Sequence, residues 1–203
     1  MEAEGHETPS AFFFLPTRFC EGFRGILTHM NGKKSRPGKA QLPEIIAVLV
    51  NVRSVHNVGS IFRTADGAGI SKIYLCGTTP TPLDRFGNFR KDFTKVSLGA
   101  ERSVAWEHIS SAGRLLDALR RRGYKLFAVE QDKGSIPYSK AKSLRRGKIC
   151  IVMGEETRGL PKGLLRRAHA ILEIPMFGTK ESLNVSVAFG VVAYGLRRGE
   201  KRL

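Results

Sequence analysis

Three short clusters in this chain bring together residue types from which a reactive site can be assembled. Asn57-Val58-Gly59-Ser60-Ile61-Phe62-Arg63-Thr64-Ala65 holds an amide and a guanidinium six residues apart, with Arg53 just before it. Gly154-Glu155-Glu156-Thr157-Arg158-Gly159-Leu160-Pro161 holds two adjacent carboxylates between glycines. The run from Ile174 to Ala188 passes through Pro175 and Gly178 to Ser182 and Asn184, then turns apolar with helical spacing. A planar guanidinium with five donors suits phosphate or ribose oxygens. Small polar side chains at a helix entry stand where free backbone N–H groups collect. Each cluster also has an ordinary structural reading: an exposed arginine on an amphipathic helix, a capped turn with solvated acids, and a helix cap. The cap explains one of Ser182 and Asn184, but not the Pro-x-x-Gly loop before them.

The same residues exclude several chemistries. The glycines around Glu155 resemble a phosphate loop, but no Gly-Lys-Ser/Thr follows, and Pro161 lacks an N–H where a phosphate cradle needs one. Gly67-Ala68-Gly69 lacks the third glycine of a dinucleotide fingerprint. Glu155 and Glu156 are adjacent, a spacing at which side chains can point to different sides, which weakens a paired-carboxylate glycosidase. His6, His29, His56, His108 and His169 are scattered without metal spacing, and no G-x-S-x-G elbow occurs. No metal site is expected.

The elements that must position these clusters follow from hydrophobic pattern. Ile45–Val50 is a continuous apolar run suited to a strand buried on both faces. A helix is expected from Asn57, as its N-cap, to Ala68. Further strands are expected at 72–76, 125–129, 148–153 and 170–174. Helices are expected at 111–122 (closed by Gly123), 161–167 and 184–196. Alternation of this kind implies an α/β fold with a mostly parallel sheet flanked by helices. Polar or glycine-rich loops beginning at Glu130, Gly154 and Pro175 follow three of the strands, and they converge if those strands are neighbours. Ligands of open α/β sheets bind at such carboxyl ends.

With 203 residues and 41% hydrophobic content, one main globular domain is expected. Residues 1–42 lack periodicity and read as a flexible basic leader; 43–203 form the folded domain with a short basic tail. The 34 Lys and Arg outnumber the 18 Asp and Glu, for a formal net charge of +16, which favours a phosphate-rich partner. Basic clusters at Arg120-Arg121-Arg122 with Lys125, Arg145-Arg146 with Lys148, and Arg166-Arg167 make an RNA-facing patch the expectation. Cys20, Cys76 and Cys150 are odd in number and far apart, so a reduced protein without a structural disulfide is expected. Cys76 and Cys150 read as buried small hydrophobes. The apolar cluster at 12–15 is too short to span a bilayer, and the expectation is a cytoplasmic protein with no membrane partner.

Taken in order, the three clusters resemble the SpoU/TrmH family of RNA ribose 2′-O-methyltransferases, within the SPOUT superfamily. Asn57, Gly59, Arg63, Thr64 and Ala65 match an N-x-G-x-x-x-R-T-A box, and Gly154, Glu156, Gly159 and Leu160 match a G-x-E-x-x-G-L box. The 174–188 segment matches an I-P-M-x-G-x-x-x-S-L-N-V-S-x-A box nearly throughout, and the similarity runs over about residues 45–199. The resemblance implies a C-terminal deep trefoil knot of SPOUT type and a homodimer with the site near the subunit interface. It implies S-adenosylmethionine as cofactor, at Gly154, Ile174 and Leu183, with Val129 and Met176 beside them. It also implies methyl transfer to a ribose 2′-OH of tRNA or rRNA. Arg63 is then the residue at the hydroxyl, placed by Asn57, Glu156, Ser182 and Asn184. Because Arg keeps its proton up to about pH 12, it suits orienting the hydroxyl and stabilising an alkoxide better than acting as a base. Two alternatives stand beside this: a non-catalytic RNA-binding or ribosome-associated module on the same fold, and a methyltransferase of a base or small molecule. The compact form of the chain favours tRNA.

Overall fold

The computed structural model describes residues 43–144 and 147–197. The expected leader with Cys20 and the 12–15 cluster, the Arg145-Arg146 pair, and the tail from Arg198 lie outside the described residues. The elements in chain order are β1 (Ile45–Val50), α1 (Val55–Gly67), β2 (Lys72–Cys76), α2 (Lys91–Ser97), α3 (Ala100–Ser103), β3 (Ala105–Ile109), α4 (Ala112–Arg121), β4 (Tyr124–Val129) and β5 (Ile136–Pro137). A 3₁₀ helix (Tyr138–Leu144), β6 (Lys148–Met153), α5 (Lys162–Leu165), β7 (Ala170–Glu173) and α6 (Val185–Arg197) complete them.

The strands form one sheet in the order β3-β2-β1-β6-β4-β7-β5. Every pairing in it is parallel. β1 shows why its sequence is an unbroken apolar run. Successive side chains of a strand face opposite ways, and here both faces are covered. Ile45, Ala47 and Leu49 enter a core with Ile61, Phe62 and Ala65 of α1 and Phe189, Val192 and Leu196 of α6. Ile46, Val48 and Val50 enter a second core with Leu116 and Leu119 of α4 and with Leu160. Truncating Phe189, which is fully buried, to Ala would cost about 3–5 kcal/mol.

Three local features differ from the sequence reading, each for an identifiable reason. The N-cap of α1 is Ser54, not Asn57: the Ser54 hydroxyl accepts from the Asn57 N–H at 3.2 Å. Asn57 therefore lies in the first turn with its amide side chain free for other partners. The α2–α3 pair and strand β3 were not expected. β3 is an edge strand that is mostly exposed, so Ala-Trp-Glu-His-Ile lacks the apolar run of its neighbours. β5 is only two residues long, and the 3₁₀ helix after it has no sustained period. The remaining elements agree with expectation to within two residues at each end, α5 being three residues shorter in all.

Gly59 explains how α2 sits against α1. A Cβ there would lie 3.1 Å from Val96 Cβ and 3.3 Å from the Phe93 carbonyl oxygen, closer than most side-chain contacts allow. Phe62 and Phe93 then meet edge-to-face with ring centroids 5.2 Å apart. The register aligns the carboxyl ends of the central strands: Leu49 and Val129 both pair with Met153, and Val129 also pairs with Leu172.

Candidate active site

Because β6, β4 and β7 are adjacent, the loops after Val129, Met153 and Glu173 leave one edge of the sheet side by side. They enclose a cleft of about 290 Å³. Of the residues singled out in the sequence, Val129, Gly154, Ile174, Met176 and Leu183 line it, together with Glu156 and Ser182. Leu172 and Ala188 extend its apolar wall. Its polar rim is acidic: Glu130, Glu155, Glu156 and Glu173 face one cation, Arg158. An acidic cleft in a protein of net charge +16 is a local reversal of the overall field.

Backbone proximity shapes this cleft. A Cβ on Gly154 would lie 2.6 Å from the Gly159 carbonyl carbon and 2.7 Å from the Leu160 nitrogen, so only glycine lets the loop fold back on itself. The fold-back is held by Glu130, whose Oε2 accepts from the Leu160 N–H at 2.8 Å while Oε1 accepts from Gln131 N–H at 3.1 Å. Gly159 sits at φ +62°, and a Cβ there would collide with the Glu130 carboxylate. The Gln131 side chain in turn donates to the Glu181 carbonyl at 2.7 Å, tying the β4 loop to the Ser182 loop. Glu130 and Gln131 were not among the sequence candidates, because nothing local marks a carboxylate whose partner lies thirty residues away.

The three clusters meet at the mouth of the cleft. Asn57 Nδ2 donates to Glu156 Oε1 at 2.8 Å, and Asn184 Nδ2 donates to Asn57 Oδ1 at 3.1 Å. Asn184 Oδ1 simultaneously accepts from the Ser186 N–H at 2.9 Å and its hydroxyl at 2.7 Å, so Asn184 both caps the start of α6 and joins the bridge. Glu155 turns the other way, to Arg53 at 3.3 Å, and Arg53 also reaches Thr157 Oγ1 at 3.4 Å. The adjacent carboxylates thus serve different partners.

Arg63 stands apart. It is exposed on α1 and does not line the cleft, although apolar Ile61 and Phe62 beside it in the sequence would suit a semi-buried side chain. Six residues after Asn57, it falls on another face of the helix. Among the described residues no group of His, Cys, Asp and Glu is arranged to hold a metal, and no helix is long and apolar enough to cross a membrane. Cys76 and Cys150 are free and buried, and burial raises both thiols, Cys76 to about 12.

Comparison with known proteins adds an independent line. The SpoU rRNA Methylase family pattern matches residues 44–194. The 23S rRNA (guanosine-2'-O-)-methyltransferase RlmB of Ralstonia nicotianae is 31% identical over 152 residues, covering 75% of this chain and 57% of that protein. The chain therefore spans little more than half the length of this curated relative. Among solved structures, an AdoMet-bound rRNA methyltransferase from Sinorhizobium meliloti superposes with a TM-score of 0.71 at 29% identity, covering 80% of this chain and 59% of that one. The A. aeolicus TrmH/SpoU tRNA modifying enzyme gives a TM-score of 0.67 at 25% identity, covering 78% and 76%.

Proposed function

Since the chain belongs to the SpoU rRNA methylase family, we propose that it transfers a methyl group from S-adenosylmethionine to a ribose 2′-OH of RNA. The observation that carries this reading is the Asn184–Asn57–Glu156 bridge, which draws three separate sequence clusters to the mouth of one cleft.

The cleft suits the cofactor chemically. Val129, Leu172, Ile174, Met176 and Ala188 offer an apolar wall for a nucleobase, and the glutamate rim suits a ligand bearing sulfonium and ammonium charge. Gly154, Ile174 and Leu183 would hold it largely through backbone, with Val129 and Met176 packing alongside. When bound, S-adenosylmethionine supplies a methyl carbon made electrophilic by sulfonium and open to in-line attack by the 2′-oxygen. The chain's residues have the remaining tasks. Glu156 and Asn184 fix the Asn57 amide, and this fixed edge with Ser182 positions the ribose. Arg63 orients the hydroxyl and stabilises the alkoxide that develops as its proton passes to water or an RNA phosphate. Holding oxygen and carbon in line supplies a large part of the acceleration.

Arg63 lies outside the cleft of its own protomer, which supports a homodimeric site. Phe177, Leu183, Val187 and Tyr194 are exposed apolar side chains on α6 and the loop before it, next to the helix that carries Arg63. A second copy seated on this face would cover them and bring an Arg63 toward a cleft. A trefoil knot fits the strand order: the segment joining β4 to β6 travels out past β7 to make β5 before it returns. The described residues from Pro43 to Arg197 would belong to this knotted domain. The RNA would be rRNA or tRNA, the substrates named for the relatives above, and a cytoplasmic location would fit such a substrate.

Equilibrium dialysis with labelled S-adenosylmethionine tests the assignment. The wild type should bind it, and Arg63→Ala should bind it equally while methyl transfer to RNA collapses. Full activity in Arg63→Ala would refute the assigned role. Salt-sensitive RNA binding without cofactor binding would favour the non-catalytic module instead.

A further inference from the structure

The connection from β2 to α2 carries features that neither the fold nor the cleft requires. Its start is pinned by Thr79, whose buried hydroxyl accepts from Val52 N–H at 3.2 Å and lies 2.8 Å from the Cys76 carbonyl oxygen. It then forms a tight hairpin. Leu83 and Phe89 bridge antiparallel, and Asp84 N–H donates to the Asn88 carbonyl at 2.8 Å. Asp84 Oδ1 accepts from the Phe86 and Asn88 N–H groups at 2.8 and 2.9 Å. Gly87 takes φ +82°. This much internal bonding fixes a loop that would otherwise be adaptable.

What the hairpin displays is two aromatic rings, each covered by an arginine. Phe86 is 73% exposed and the Arg85 guanidinium sits 4.7 Å from its centroid. Phe89 is 38% exposed and Arg102 sits 4.5 Å from its centroid. One exposed apolar side chain is ordinary on any protein; two rigidly held aromatics interleaved with guanidinium groups are a recognition pattern. The local acids are already engaged. Asp84 serves the turn, Asp92 takes both Nε and Nη2 of Arg90, and buried Glu101 serves Ser97 and Gly99 N–H. Lys91 and Lys95, one turn apart on α2, are exposed, and among the described residues their side-chain ammonium groups have no hydrogen-bond or ion-pair partner.

We propose that this hairpin is a stacking platform for an unpaired base of the RNA substrate, with Lys91 and Lys95 holding the adjoining phosphates. The inference rests on the methyltransferase reading above. Stacking accepts any base, because every base has a π-face, and the ammonium groups supply the salt-dependent part. Placement supports it. The hairpin leaves the same sheet edge as the cleft, and β2 lies two strand spacings, roughly 10 Å, from β6. α2 is locked to α1 at Gly59, so the platform is rigid with respect to Asn57 and Arg63. A base stacked there must be out of a duplex, which commits the substrate to a loop or single-stranded segment.

The test uses the full chain with Phe86→Ala and Phe86→Trp, probed with oligouridylate and with duplex RNA. Phe86→Trp should show tryptophan quenching by oligouridylate beyond that of wild type, whose single Trp106 is the background. Duplex RNA should quench little. Phe86→Ala should raise the KM for RNA about tenfold, with kcat, S-adenosylmethionine binding and thermal unfolding unchanged. Equal RNA affinity in Phe86→Ala and wild type, as expected if the patch docks a protein, would overturn the proposal, as would absence of quenching in Phe86→Trp. Failure of the methyltransferase reading would look different: wild type itself would neither bind S-adenosylmethionine nor methylate RNA.

Discussion

At the scale of single residues, the site depends on side chains doing two jobs. Asn57 donates to Glu156 and accepts from Asn184, and Asn184 also caps α6. Asn57→Ala should lower kcat for methyl transfer about ten- to a hundredfold, since hydrogen bonds to charged groups contribute about 1.5–3 kcal/mol. S-adenosylmethionine affinity should stay near wild type, because Asn57 does not line the cleft. The sequence showed the residue but misassigned its local role: as an N-cap its side chain would have been used on backbone, and Ser54 releases it. A separate residue-scale effect concerns stability. His169 Nδ1 accepts from the Leu126 N–H at 2.9 Å, and burial, then Arg120 and Lys125, lower its pKa below the ordinary imidazole value of 6.5. The folded protein thus binds this proton less readily than the unfolded chain. The stabilisation is fully present above 6.5 and is lost as pH falls through the lowered folded value. Thermal unfolding of wild type and His169→Gln should therefore converge on acidification, with the gap widest above neutrality. A constant gap would contradict the linkage.

At the scale of elements, glycines set which loop can touch which. Gly154 permits the return of the 154–160 loop onto its own strand, and Glu130 latches it. Gly154→Ala should reduce stability by about 1–3 kcal/mol through forced backbone displacement and should weaken S-adenosylmethionine binding. Calorimetric titration and a thermal melt would check the two together. The strands were legible because burial on both faces demands apolar runs, as in Ile45–Val50 and Lys148–Met153. The edge strand β3, the short α2 and the two-residue β5 were not, since each is too short or too exposed to impose a period. The three site loops were visible as breaker-rich punctuation. Their convergence needed the strand order β6-β4-β7, which is a long-range property.

At the scale of the whole molecule, under the proposed function the net positive charge of the chain would serve RNA attraction and the acidic cleft a cationic methyl donor. The account also requires two copies, because Arg63 lies off the cleft of its own chain. Charging the exposed face with Val187→Asp and Tyr194→Asp should give a monomer by light scattering that keeps its fold and loses methyl transfer. An active monomer would remove the need for a shared site. The measurement that bears most directly on the central claim is the position of the methyl group on RNA incubated with the protein and labelled S-adenosylmethionine. The account predicts label on a ribose 2′-oxygen, seen as one phosphodiester resistant to alkali and nuclease, and its loss with Arg63→Ala. Label on a base, or on RNA that remains fully cleavable, would contradict it.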